Sequence, residues 1–450
     1  METYYQPPSA VALKKLILYC LFIGNIVGIV WIWWTYSNYY ILNPGGGDIY
    51  IALGRIAGLI SEYFILVQLV LIGRVMWIER LYGFDKLNRL HRWIGYSIGG
   101  TLLAHPILLT IGYAESYGVS FWAQLSDFLA NRDGVFLAYF ALMIFALVIL
   151  LSLPFNRKNL RYETWYFIHL LMYVAIGLAL NHQLGTADLI QTGPLYYWYA
   201  LNFIVFGAVL LYRFVRPLAR FAWHRFTVTR VVQENKDTWS LYVNGRHLEK
   251  FAFEAGQYAN LNILAKGMWF THPFSLSAPY DGASLRFSIK NAGDYTSKIQ
   301  HVQPGTRVII DGPLGRFVAR NAVRDKYLFI AGGIGITPIR AMIEPLAAQQ
   351  KDVVLLYTAK TEHDLVFWQE LEDIKKQYGT LTIHYVLSAP TTAGHETGRL
   401  DKNKIIRLVP DFYEREAFLC GPTTMMEAMA QHLKELGFPK KHIHYEKFSF

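Results

Sequence analysis

Six stretches of this chain are long and apolar enough to cross a bilayer. They lie near residues 13–36, 49–73, 90–113, 134–153, 162–182 and 196–215. A helix rises 1.5 Å per residue, so about 20 such residues cross ~30 Å of hydrocarbon. Lipid offers nothing for a bare peptide group to bond, so a spanning segment must satisfy its backbone internally, as a helix. The composition agrees, with 53% hydrophobic and only 17% charged residues, against about 25% charged in an ordinary soluble chain. Residues 11–215 hold nearly all the long apolar runs, whereas 220–450 have a soluble composition. The 450 residues exceed one ordinary core, so a membrane half joined to a soluble half follows. Lys14 and Lys15 precede the first run, but no small-residue cleavage site follows it, so it reads as a retained span.

Loop charges orient the spans. The connections 37–48 and 183–195 carry no Lys or Arg, and 114–133 carries only Arg132. In contrast, 74–92 carries Arg74, Arg80, Lys86, Arg89 and Arg92, the next inner loop carries Arg157, Lys158 and Arg161, and the last exit carries Arg213, Arg216, Arg220 and Arg225. The alternation predicts a multi-pass protein of the cell membrane with both termini and the soluble half in the cytoplasm. It also accounts for the net charge of +10 without a nucleic-acid partner. Two cysteines, Cys20 and Cys420, imply neither a disulfide framework nor a thiolate metal site.

The soluble half opens with alternating, β-branched runs that continue to about residue 318, the pattern of a small antiparallel β-barrel. From 326 the sequence YLFIAGGIGITPIRAMIEPL reads as a buried strand, a glycine turn and a helix, and VVLLYTA, LTIHYVLS and EAFLCGP follow as further strands. That is a parallel α/β domain. The predicted architecture is a six-span helical bundle (1–216), an antiparallel β-barrel domain (217–320) and a parallel-sheet α/β nucleotide-binding domain (321–450).

Four histidines lie inside the spans, where an ionisable group is costly and points to function. His91 and His105 are 14 residues apart on the third span; His169 and His182 are 13 apart on the fifth. Both spans run from inside to outside, so the rings sit at two matched depths about 20 Å apart. Facing imidazoles at two levels are what two stacked haems need: His91 with His169 near the cytoplasm, His105 with His182 near the outside. A dinuclear metal site fails for want of acidic ligands at matching depths. A spacing of 14 returns to within about 40° of one helix face, but 13 misses by about 140°, so the fifth span calls for a bend, a bulge or a strong tilt. Arg55, on the second span below the outer surface, is set either to meet a haem propionate or to snorkel to the interface.

In the soluble half, HPFSLSAP (272–279) enters a strand, AGGIGITP (331–338) lets backbone N–H groups approach a pyrophosphate at a helix N-terminus, and CGP (420–422) ends a later strand. HPFS, DGPLG (311–315), GGIGITP, CGP and a terminal aromatic, in that order, form the pattern of a ferredoxin-reductase-type flavoprotein module. Behind six spans with paired histidines, the chain resembles the NADPH oxidase and ferric reductase superfamily, over roughly residues 50–450. A chain this compact, without an EF-hand loop before the spans, is similar to the bacterial members, and no regulatory subunit is evident.

The resemblance implies roles for particular residues. His272, Pro273, Phe274 and Ser275 would hold the flavin ring and its phosphate arm, and Lys290, Gly293, Tyr295 and Thr296 the FAD pyrophosphate. Gly332, Gly333, Gly335 and Thr337 would receive the dinucleotide pyrophosphate, and Cys420, Gly421 and Pro422 would sit by the nicotinamide. Phe450 would stack on the flavin until the nicotinamide displaces it. Lys360, His363 and Arg399 are candidates for a 2′-phosphate, but Ala389 stands where plant-type relatives carry an Arg, so NADPH or dual use with NADH is expected. The implied cofactors are FAD, two b-type haems and NAD(P)H. The implied reaction passes electrons from NAD(P)H to an acceptor on the outer face, with Arg55 attracting it. The expected acceptor is oxygen, giving superoxide; a ferric chelate, a quinone or a periplasmic partner is the alternative on the same path. Leu109 and Ala175 replace a His and an aromatic of the eukaryotic oxidases.

Overall fold

The computed structural model describes residues 8–183, 188–189, 191–389 and 394–445. The chain divides into two compact units, one formed by residues 1–82 and 86–213, the other by 83–85 and 214–450. Among the described residues, six helices are long and apolar enough to cross a bilayer: Ala10–Leu42, Asp48–Ile72, Phe84–Tyr117, Val135–Ser152, Glu163–Gln183 and Thr192–His224. This is a multi-pass membrane protein. The third helix starts at Phe84, ahead of its apolar part, because the polar lead DKLNRLHR continues the same helical turns. The sixth changes to π-helical turns over Leu210–Val215 before resuming at Arg216.

The second to sixth spans share one apolar layer, built from Leu66 and Leu69, Ile94 and Ile98, Ala141 and Phe145, Ala175 and Ile176, and Val205 and Val209. The first span joins through Ile29, which packs with Leu59, Tyr63 and Trp198. Gly47, just before the second span, has φ 83°, and a side chain there would run into the Gly112 carbonyl of the third. Only glycine accepts both the left-handed backbone and that close approach.

In the other unit, strands β1 (Thr227–Asn235), β2 (Thr238–Asn244), β3 (Tyr258–Ile263), β4 (His272–Ser275), β5 (Leu285–Lys290) and β6 (Val308–Leu314) are antiparallel. They form two three-stranded sheets, β1-β2-β5 and β4-β3-β6, around one core that includes Phe226, Leu241, Leu261, Phe287 and Ile310. Between the two sheets the expected barrel is closed by isolated bridges, Thr227 to Arg307 and Leu276 to Phe287. Each fully buried side chain of this kind contributes roughly 1.5–3 kcal/mol.

Strands β7 (Lys326–Gly332), β8 (Asp352–Ala359), β9 (Leu381–Leu387), β10 (Glu396–Thr397), β11 (Glu416–Cys420) and β12 (Ile443–Tyr445) make a parallel sheet in the order β10-β9-β8-β7-β11-β12. The chain proceeds outward from β7 to β10, then returns to the other side of β7. The reversal opens a crevice beyond the carboxyl ends of β7 and β11, the place where such sheets bind ligands.

Candidate functional site

The two histidine pairs meet. The His91 and His169 ring centroids are 6.1 Å apart, and those of His105 and His182 are 6.3 Å apart. A first-row metal sits about 2 Å from an imidazole nitrogen, so two rings on one metal axis have centres about 6 Å apart. Both pairs fit that requirement. The fifth-span helix, Tyr162–Gln183, is continuous, so no bulge answers the 13-residue spacing. The facing rings are inclined to one another, with interplanar angles of 60° at the inner level and 49° at the outer. His182 stands in the last turn, where its Nδ1 meets the Ala179 carbonyl at 2.5 Å.

At the outer level, His105 Nδ1 lies 2.8 Å from the Gly54 carbonyl oxygen. With the proton on Nδ1, both outer rings donate to backbone and leave Nε2 as the available ligand atom, the usual second-shell pattern of metal-bound imidazole. At the inner level, Trp165 stacks on His169 at 4.9 Å and donates to Ser152 Oγ, which lies 3.3 Å from His169 Nδ1. Gln68 holds the third span by donating to the His91 carbonyl at 2.8 Å. His91 Nδ1 is buried with no hydrogen-bond partner among the described residues, a state that costs about 1–3 kcal/mol in a folded protein.

Arg55 neither snorkels nor stands open. Its guanidinium grips Asp188 in a bidentate pair, Nε to Oδ2 at 2.7 Å and Nη2 to Oδ1 at 2.6 Å, and donates to the Tyr36 carbonyl at 3.2 Å. The two side chains are only 10% and 5% exposed. The charge that the sequence offered to a propionate or an acceptor is met by a carboxylate of the protein itself.

The predicted flavin residues lie on β4 and at and after the end of β5. His272, Pro273, Phe274 and Ser275 pair with Leu261, Asn260, Ala259 and Tyr258. The Tyr295 ring lies 4.0 Å from His272 and 6.4 Å from Phe274, nearly parallel to the latter at 20°. Thr296 Oγ1 accepts from the Ala292 N–H and donates to the Gly293 carbonyl, which shapes the turn after β5. Lys290 ends β5, just before this turn, and its amine pairs with Asp237 at 3.2 Å.

At the sheet crevice, Ala331 of β7 is in register with Cys420 of β11, so GGIGITP and CGP leave adjacent strands side by side. A Cβ on Gly335 would strike the Cys420 carbonyl and come within 2.6 Å of the Gly421 nitrogen. On Gly332 it would come within 3.0 Å of Pro422. Thr337 lies in the first turn of the helix Ile336–Ala348, where its hydroxyl donates to the Ile334 carbonyl at 2.9 Å. The Cys420 side chain is 2% exposed and belongs to the sheet core. Its thiol is therefore not open at the crevice. Lys360 and Arg399 are both exposed just past the ends of β8 and β10. Phe450 lies outside the described residues.

Family comparison divides the chain in the same order. Residues 57–180 match the ferric reductase like transmembrane component, 234–317 an FAD-binding domain and 329–431 an oxidoreductase NAD-binding domain. The chain thus has the NADPH oxidase and ferric reductase-like architecture, with a ferredoxin-reductase-type module, and is an oxidoreductase that moves electrons from NAD(P)H through FAD. Among its relatives is the glycine betaine monooxygenase reductase subunit of Chromohalobacter salexigens, 29% identical over 249 residues, covering 52% of this chain and 68% of that one. A flavohemoprotein of Pseudomonas aeruginosa is 30% identical over 232 residues (50% and 58%), and an NADPH oxidoreductase of Mycobacterium tuberculosis 30% over 234 (50% and 60%). A solved FAD/NAD-binding domain of nitric oxide dioxygenase from Vibrio cholerae superposes with a TM-score of 0.45 at 24% identity, covering 49% of this chain and 96% of that one.

Several groups escaped the sequence reading. Glu62 is a buried acid within the second span, and its Oε1 has no hydrogen-bond partner among the described residues. In the sheet, Glu416 is fully buried on β11 and takes His442 Nδ1 and His444 Nε2, each at 2.6 Å, and the Val323 N–H at 3.1 Å. Burial pushes Glu416 up, but the donors from His444, Val323 and His442 outweigh it and hold the carboxyl below its usual range. Burial likewise holds His444 below its ordinary 6.5, against the pull of Glu416. Both shifts have one sign. At these two groups the folded state binds fewer protons than the unfolded one, at His444 below about pH 6.5 and at Glu416 below about pH 4.5, so their contribution to stability is full above those values and is lost on acidification. The melting temperature should therefore fall between pH 7.5 and 5.5, and His444→Gln should flatten that fall; an equally steep profile in the variant would remove the clamp as its cause.

Proposed function

We propose that this chain carries electrons from cytosolic NAD(P)H, through FAD and two haems, to molecular oxygen on the outer face, giving superoxide. The modules are 1–216 for the membrane path, 217–320 for FAD and 321–450 for the dinucleotide. His91 and His169 would hold the inner haem, His105 and His182 the outer one. The observation that carries this is the pair of ring separations, 6.1 and 6.3 Å, at two levels of one bundle. When bound, FAD accepts a hydride as two electrons and the haems pass one at a time, which is chemistry that side chains do not supply. The protein's residues position these groups, exclude water and set the electrostatics. One NAD(P)H reduces two oxygen molecules to two superoxide ions and releases one proton inside.

With two histidines at the outer level, oxygen would be reduced without binding the metal. The Arg55–Asp188 pair favours oxygen over an anionic ferric chelate, because the local cation is already neutralised. The test is cytochrome c reduction by purified protein with NADPH and FAD in air, with and without superoxide dismutase. Dismutase should abolish the signal. Reduced haems with a signal insensitive to dismutase would instead favour a chelate or quinone acceptor.

A further inference from the structure

The third span carries His105, but the second span decides where its ring can lie. Gly54 and Gly58 are spaced G-x-x-x-G on the helix Asp48–Ile72, a spacing that brings two membrane helices close. The Gly54 carbonyl receives His105 Nδ1 at 2.8 Å. One turn further, Gly58 leaves the space in which the ring sits: a Cβ there would be 2.5 Å from Nδ1, 2.7 Å from Cε1 and 3.2 Å from Cγ. Gly54 itself faces Leu109, one turn beyond His105, with a virtual Cβ 2.9 Å from its side chain. Hydrogen bond and contact surface thus act on the same ring from the same helix.

We propose that Gly54 and Gly58 are positioning residues for the outer haem: the Gly58 gap seats the His105 imidazole, and the Gly54 carbonyl fixes its tautomer and points Nε2 toward His182. This rests on the bis-histidine reading above. A ring with Nδ1–H held by a carbonyl is a stronger donor through Nε2 than a free imidazole, and it cannot rotate away from the ligand axis. Alanine at 58 puts a methyl where the ring must be. His105 can then escape only by turning, which breaks the bond to Gly54.

The experiment compares full-length wild type, Gly58→Ala and Gly100→Ala in detergent. Gly100 is on the same helix as His105, and a Cβ there meets nothing within 4 Å. Haem per chain is measured by pyridine haemochromogen, and the low-spin bis-histidine signal by electron paramagnetic resonance. Gly58→Ala should lose the outer haem, going from two per chain to one, or should convert one low-spin signal to high spin. Gly100→Ala should keep both. Two unaltered low-spin haems in Gly58→Ala would overturn the inference, as would equal loss in Gly100→Ala. Wild type without two bis-histidine haems would instead overturn the reading beneath it. If Gly58→Ala does not accumulate, it is combined with His105→Ala, which removes the ring that the methyl strikes. Recovery of folded protein in the double variant would support the clash; no recovery would overturn it.

Discussion

On the bis-histidine proposal, His105→Ala is expected to lower haem from two per chain to one, and to cut dismutase-sensitive cytochrome c reduction at least about 100-fold, the upper range for damage to a metal's outer shell and a floor for loss of a ligand. The argument is one of levels. His105 faces His182 across 6.3 Å, while His91 and His169 face each other at the other depth and share no ring with them. Removing one outer ring leaves His182 as a single ligand, still bonded to Ala179 and unable to close the opposite side alone. The inner pair should keep its haem and should still be reduced by NADPH, seen as the shift of the Soret band under anaerobic conditions. The measurement is haem content together with that spectrum. Two haems retained in the variant would remove His105 from the ligand set.

The second large effect is expected at Gly335. A Cβ there would collide with the carbonyl of Cys420 and approach the Gly421 nitrogen at 2.6 Å. Both are backbone atoms of a strand end fixed in register with β7, so neither can swing aside as a side chain could. Gly335→Ala must push the helix Ile336–Ala348 away from the CGP turn, or push the turn away from β7. Overpacking of this sort costs about 1–3 kcal/mol, and it falls on the crevice proposed to receive the dinucleotide. The KM for NADPH should rise at least about tenfold, as one lost interaction of about 1.4 kcal/mol requires. FAD and haem content should stay as in wild type, and dithionite should still reduce the haems. Stopped-flow bleaching of the flavin against NADPH concentration reads this directly. An unchanged dependence would take the glycine turn out of the binding site.

Much of this was legible because lipid is a strict solvent. Six apolar runs have few alternatives to helices, and a histidine inside one has few alternatives to a partner at its own depth. The pairing of His91 with His169 and of His105 with His182 follows from depth alone. What surrounds them does not. Gly54 and Gly58 stand in the sequence as G-x-x-x-G, a readable signal of close helix approach, yet only the structure shows which ring occupies the gap. Asp188 comes from a connection between spans, 133 residues from Arg55, and nothing in local pattern ties the two. Glu416 hides for another reason: a strand covered on both faces loses its alternation, so a buried acid among EAFLC looks like the first residue of any strand. In the flavin half, HPFS and the turn at 293–296 lie together because β4 and β5 flank one core, whereas Lys290 was drawn to Asp237 by simple proximity of opposite charge.

The sheet order also sets a schedule of assembly. The crevice between β7 and β11 is made from strand ends about ninety residues apart in the chain, Ala331 and Cys420. A chain leaving the ribosome has threaded its spans and completed the flavin-side strands well before β11 exists. Through that interval β7 has β8 on one side and an open edge on the other. Half of the walls of the proposed nicotinamide site are missing, so on that proposal the nascent molecule has no way to take on reducing power. Only the last strands complete the crevice, and the conductor is finished before its supply is connected.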